Sequence, residues 1–143
     1  MERKSTSGSC QFLGNNLISW YSKKQSTIAL STTEAEYVAA AGCSTQMLWM
    51  KSQLEDYHLY ESKIPIFCDS TSAICLSKNP ILHSKAKHIE IKHHFIRDYV
   101  QKGILFLNFI DTDHQWADIF TKPLPEDRFK FILKNICLEN CPE

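Results

Sequence analysis

The chain has 143 residues, enough to bury one hydrophobic core and to form one domain. Lysine and arginine number 16 against 16 acids, so net charge names no polyanionic partner and any basic surface has to be local. Apolar residues make up 43 %, ordinary for a globular domain, and the longest apolar runs, such as 104–110, fall far short of a bilayer span. No apolar run follows the charged start MERK, so no signal peptide, no membrane partner and an intracellular location are expected. Six cysteines stand at 10, 43, 68, 75, 137 and 141 without a C-x-x-C pair, which points to reduced, mostly buried thiols with a structural or incidental role.

In chain order, residues 1–9 are polar and read as a frayed end. Residues 10–13, Gly14-Asn15-Asn16 and 17–21 read as strand, turn and strand, the turn supplying residues that tolerate positive φ. A polar connection with Lys23 and Lys24 leads to a long helix over about 31–57. Ser31 and Glu34 form the S-x-x-E of a capping box at its start, and Ala35, Val38, Ala39 and Gly42 recur at helical spacing as a narrow face of small residues suited to lie on a sheet. Residues 64–68 are apolar and read as a core strand that, with Pro65 near its start, either begins there or lies near an edge. A short helix over 71–77 stops at Asn79-Pro80. A basic loop, ILHSKAKH, precedes a helix over 89–102, read from the period of Ile89, His93, Ile96 and Val100, with Gly103 as its C′ residue. A strand over 104–110 follows. Asp111 and Asp113 offer caps for a helix over 114–122, ended by Pro123, and a last amphipathic helix over 126–137 turns Phe129, Ile132, Leu133 and Ile136 inward. The order predicts a single α/β domain over 1–143, a mixed sheet flanked by helices, closed by a C-terminal helix and tail over 123–143. Trp20, Trp49 and Trp116 are expected in the core.

Three acids are candidates for a ligand site, and one of them, Asp69, falls at the carboxyl end of a strand, where such a sheet places ligands. Glu36 lies one position off the small-residue face, Asp69 ends the strand over 64–68, and Asp118 lies in the late helix. Each has a bland alternative. Glu36 suits an early helical turn, Asp69 could cap the next helix, and Asp118 has Lys122 at i+4. If the three converge, they need a cation among them, and Mg²⁺ suits oxygen ligands that also receive phosphate. Spacing leaves both readings open. The same holds for Lys85, Lys87, His88, Lys92 and His93, which are either a solvated face or a phosphate-contacting patch.

Five stretches in order carry a resemblance: RKSTSG with FLGNNLISWYSKKQ, ALSTTEAEYVAAAGC, IFCDSTSAI, KHIEIKHHFIRDYV and DTDHQWADIFTKPL. With them the chain resembles the RNase H domain at the C-terminal end of copia-type retrotransposon polyproteins. The resemblance implies an RNase H-like fold and Mg²⁺- (or Mn²⁺-) dependent cleavage of RNA in RNA–DNA hybrids. It assigns the family's catalytic and metal-binding acids to Glu36, Asp69 and Asp118, the basic patch to the hybrid backbone, and the parent reverse transcriptase as partner. His114 lies too close to Asp118 to match the mobile histidine of some RNases H. The family also carries an aspartate just upstream of RKSTSG, in a segment like SDADWAG, whereas the acid preceding Glu34 here is Glu2. The expectation is therefore a sheet lacking its first strand, an incomplete two-ion site, and hydrolysis that is weak or absent. The alternative is a non-catalytic nucleic-acid-binding remnant of a retroelement.

Overall fold

The computed structural model describes residues 4–13, 16–26, 31–78 and 87–136. These fall into two compact units, Met1–Ile28 with Asp111–Glu143, and Ala29–Ile110.

In the first unit, β1 (Thr6–Leu13) and β2 (Asn16–Lys24) form an antiparallel hairpin. Its Gly14-Asn15 tip lies outside the described residues. Strand β1 starts at Thr6, so residues 6–9 of the expected frayed end are sheet. The reason it escapes a hydrophobicity reading is that its inward residues are Ser7, Ser9 and Gln11. Their polar groups bond to one another and to Gln25: Gln11 Nε2 donates to Ser9 Oγ at 2.7 Å, and Gln25 Nε2 donates to Ser7 Oγ at 2.8 Å. Register slips between Gln11 and Phe12, which face Ser19 and Leu17, and Ile18 becomes the extra residue of a bulge. Instead of one helix over 114–122, two 3₁₀ segments form, Thr112–His114 and Trp116–Phe120. Asp111 caps the first by accepting from His114 N at 2.9 Å, and extended Gln115 (ψ 92°) separates the two. The second segment lies against Gly8, where a Cβ would stand 2.6 Å from Thr121 Cγ2. Helix α4 (Glu126–Ile136) buries Ile132 and Ile136 but leaves Phe129 outward, a correction to the expected inward set.

In the second unit, Ser31 Oγ accepts from Glu34 N at 3.1 Å and starts α1 (Thr32–Asp56), as the capping box implies. The buried face is Tyr37, Ala40, Ala41 and Ser44, and Gly42 is exposed, so the small-residue stripe is not the one that packs. Tyr37 carries far more apolar area than any residue of that stripe, and its burial rotates the helix. Ser44 is tolerated because its hydroxyl donates to Ala40 O. The helix ends in a Schellman arrangement with His58 at φ 62°, His58 N bonding Glu55 O and Leu59 N bonding Leu54 O. Strand β3 (Ile64–Cys68) pairs in parallel with β4 (Leu105–Phe109), turning Ile64, Ile66, Cys68, Leu105 and Leu107 inward. Helix α2 (Thr71–Lys78) and α3 (Lys87–Gln101) complete the unit. Gly103, at φ +72°, closes α3 through the same pair of bonds, Gly103 N to Val100 O and Ile104 N to Tyr99 O. The core joins Tyr37, Ala40, Ala41, Cys68, Ala73, Ile96 and Leu107.

The molecule is mixed α/β as expected. Among the described residues, however, the strands form two separate two-stranded sheets rather than one. No described helix is long and apolar enough to cross a membrane.

Candidate functional site

The site in the second unit follows from two buried residues and their neighbours. Alternation along β3 sends Cys68 into the core, which leaves Asp69 at the strand's carboxyl end. On α1, Tyr37 is fully buried and fixes the backbone beside Glu36, which is exposed. The result brings Glu36, Cys68 and Asp69 together, with their ligand atoms all within 4.8 Å of one another. Capping, the bland alternative for Asp69, falls to its neighbour: Ser70 Oγ accepts from Ala73 N at 3.2 Å, and Ser70 O accepts from Ile74 N.

Burial, and then the charges of Glu36 and Asp69, push the Cys68 thiol above its usual range, so it stays protonated at neutral pH. Two carboxylates beside a protonated thiol make an oxygen donor set, which suits a hard divalent cation better than a thiophilic one. Sequence reasoning singled out the two acids and missed Cys68, although the alternation of IPIFC on a strand would have placed its side chain inward. Cys10, Cys43, Cys68 and Cys75 are thiols rather than disulfides, as expected, but of these four Cys68 alone is buried, Cys10 and Cys43 being half-buried and Cys75 exposed.

Asp118 belongs to the first unit, in the second 3₁₀ segment, and is 8 % exposed. Its Oδ2 accepts from Arg128 Nη2 at 2.7 Å and meets Lys122 Nζ at 3.5 Å. The i, i+4 pair with Lys122 is therefore present, but Arg128 is the closer partner. Arg128 Nη2 also donates to Thr112 O at 2.6 Å, which ties α4 to both 3₁₀ segments. No spacing rule connects Arg128 to Asp118, and nothing in the sequence flags it. His114 is occupied locally, its Nδ1 2.6 Å from Asp111 Oδ1 and its ring edge-on to Trp116.

The basic stretch is only partly described. Lys85 lies outside the described residues; Lys87 and His88 open α3, and their side chains are also outside them. Lys92 is half-buried. His93 is 1 % exposed, with its ring centroid 6.1 Å from that of Tyr37, so it is a core residue and has no surface to offer a phosphate. This corrects its place in the basic patch. The tryptophans also differ from expectation. Trp20 (55 %) and Trp49 (58 %) are largely exposed, while Trp116 is half-buried edge-on to Phe131.

Similarity to known proteins is extensive. Over 128 residues the chain is 41 % identical to the retrovirus-related Pol polyprotein from transposon TNT 1-94 of Nicotiana tabacum, covering 90 % of this chain and 10 % of that protein. Over 139 residues it is 41 % identical to the retrovirus-related Pol polyprotein from transposon RE1 of Arabidopsis thaliana, covering 96 % and 10 %. It is 28 % identical over 130 residues to the transposon Ty1-NL2 Gag-Pol polyprotein of Saccharomyces cerevisiae, covering 90 % and 7 %. The chain thus spans about a tenth of the length of its plant relatives. No family model and no solved structure matches it. By sequence, the chain is related to one segment of the retrovirus-related Pol polyproteins of copia-type transposons.

Proposed function

We propose that this chain is the RNase H-type segment of a transposon Pol polyprotein, acting on the RNA strand of RNA–DNA hybrids with Mg²⁺ or Mn²⁺. The observation that carries the reading is the meeting of Glu36 and Asp69, from two distant parts of the sequence, at the carboxyl end of β3. Glu36 and Asp69 would hold the cation, with Asp118 as the third acid; a bound Mg²⁺ or Mn²⁺ would supply charge stabilisation at a scissile phosphodiester. The chain's own contribution is to orient. Tyr37 and Cys68, both buried, fix the two acids through adjacent backbone, and the protonated Cys68 keeps a third negative charge out of the site. Lys85, Lys87, His88 and Lys92 would track the hybrid backbone, the shape of the duplex and its 2′-hydroxyls giving recognition. The parent reverse transcriptase is the partner that delivers hybrid.

The test is Mn²⁺ binding followed by paramagnetic resonance, alongside cleavage of an end-labelled hybrid. Asp69→Asn and Glu36→Gln should each weaken Mn²⁺ binding and remove whatever cleavage the chain has. Hybrid affinity should fall steeply with salt. Hybrid binding without cleavage in Mg²⁺ or Mn²⁺ would favour the non-catalytic remnant instead. Mn²⁺ affinity unchanged in both variants would overturn the metal assignment.

A further inference from the structure

Binding of a hard cation leaves the sulfur of Cys68 unused. The residue is 5 % exposed, belongs to the Tyr37 core cluster, and has its Sγ within 4.8 Å of a carboxylate oxygen of Glu36 and of Asp69. Its S–H group donates to Ser70 O across 3.8 Å, a long bond from a weak donor. With that proton in place the sulfur offers Mg²⁺ or Mn²⁺ nothing, and these ions rest on the two carboxylates. A thiophilic ion can use all three groups. Around tetrahedral Zn²⁺, with bonds of about 2.3 Å to sulfur and about 2.0 Å to oxygen, neighbouring ligand atoms stand about 3.5 Å apart. From separations of 4.8 Å or less, closure to that geometry is a movement of about 1 Å. The groups able to make it are the acids, since Glu36 is exposed and Asp69 half-buried, whereas Cys68 is fixed by the core.

We propose that Glu36, Cys68 and Asp69 together form a three-ligand site for a thiophilic divalent ion of the Zn²⁺ class, which displaces Mg²⁺ or Mn²⁺. On binding, the Cys68 S–H bond breaks, a sulfur–metal bond forms, the proton passes to buffer, and nothing is oxidised or reduced. The fourth position is left to water. At equal concentration, mixed oxygen and sulfur donors hold Zn²⁺ more tightly than Mn²⁺, so the sulfur makes the site one that a trace of thiophilic ion can block. The blocking of hydrolysis rests on the reading under which the two acids hold the catalytic cation. The sulfur–metal bond itself does not.

The probe is Co²⁺, which adopts Zn²⁺ geometry and reports a thiolate ligand by a sulfur-to-metal charge-transfer band in the near ultraviolet. Added to the full chain with its thiols reduced, Co²⁺ should give this band, and Zn²⁺ should bleach it. Asp69→Asn and Glu36→Gln keep the sulfur and the core, and each should weaken the band, which tests the assignment even if Cys68→Ala folds poorly. Cys43→Ala and Cys75→Ala should leave it intact. Cys68→Ala should remove it and lower Zn²⁺ affinity at least about tenfold more than Mn²⁺ affinity, since a direct ligand counts for more than the outer-sphere partners whose loss costs that much. Absence of the band in the unmutated chain would overturn the proposal. So would a band that survives Cys68→Ala or ignores both acid variants, which would belong to the other thiols, or equal losses of Zn²⁺ and Mn²⁺ affinity in Cys68→Ala, which would mark the thiol as packing alone. Mn²⁺ binding without the band leaves the hydrolase reading standing and removes this one; the band without Mn²⁺ binding does the reverse.

Discussion

Replacing Arg128 by methionine asks how Asp118 is held. Asp118 Oδ2 receives Arg128 Nη2 at 2.7 Å, with the two side chains 11 % and 22 % exposed. A fully buried pair broken from one side costs roughly 3–5 kcal/mol, and a fully exposed one about 0–1 kcal/mol. This pair is mostly but not fully buried, and Lys122 at 3.5 Å stays to compensate the carboxylate. Methionine keeps the apolar contact of the arginine stem but also loses the charged hydrogen bond to Thr112 O. The expected loss is about 2–3 kcal/mol, read from urea unfolding followed by far-UV dichroism. Asp118→Asn should cost about 1 kcal/mol, since Arg128 retains Thr112 O, and the double variant should show a coupling of about 1–2 kcal/mol. A loss below about 0.5 kcal/mol in Arg128→Met, or strict additivity with Asp118→Asn, would refute the view that this guanidinium holds Asp118.

Other variants test the backbone and the thiols. His58 occupies the left-handed region at φ 62°, so His58→Gly should stabilise the end of α1 by about 0.5–1 kcal/mol in the same unfolding assay. Gly8→Ala places a Cβ 2.6 Å from Thr121 Cγ2 and 3.1 Å from Ala117 O, an overpacking worth about 1–3 kcal/mol. Adding Thr121→Ser, which removes that methyl, should recover part of the loss. Iodoacetamide with mass spectrometry should modify exposed Cys75 long before buried Cys68. Burial raises the Cys68 pKa in the folded chain, so the unfolded chain gives up this proton first. The stability tied to it is full below the ordinary thiol pKa and falls as pH rises past that value toward the folded one, a slope that Cys68→Ala should flatten. Glu36→Gln removes one negative charge near Cys68 and should speed its alkylation about two- to fourfold, leaving burial as the main brake.

What the sequence made legible were local devices with chemical signatures. The Ser31 cap, the Asp111 cap, the stop at Gly103 and the strand IPIFC all depend on residues within a few positions of one another. What it hid depends on long-range competition. The inward face of α1 was misread because small residues at helical spacing look like a packing stripe, while one tyrosine set the rotation. The second half of strand β1, residues 10–13, was legible, but residues 6–9 were not, because the strand's interior is Ser7, Ser9 and Gln11, whose partners lie on the same hairpin and at Gln25. The late helix became two 3₁₀ turns because Asp111 and Gln115 each close a short turn before an α-helix can propagate.

The acids were legible and their surroundings were not, for a physical reason. A functional carboxylate has to stay near solvent, so packing on its own side chain cannot fix it. Here each acid of the second-unit pair is covalently next to a residue that is fixed that way, Glu36 beside Tyr37 and Asp69 beside Cys68. Tyr37 and Cys68 share one core cluster, so the hydrophobic effect that closes the unit also sets the distance between the two carboxylates. Two like charges at that distance repel, and the work of holding them there is done by apolar burial one residue away. Asp118 is held differently, by a guanidinium from another helix and at most slight exposure. A side chain tied by an ion pair can exchange one cation for another, whereas a side chain tied by its neighbour's burial cannot move without opening the core. On this argument Glu36 and Asp69 are held rigidly within their unit, whereas the tie that holds Asp118 in its own unit responds to ionic strength.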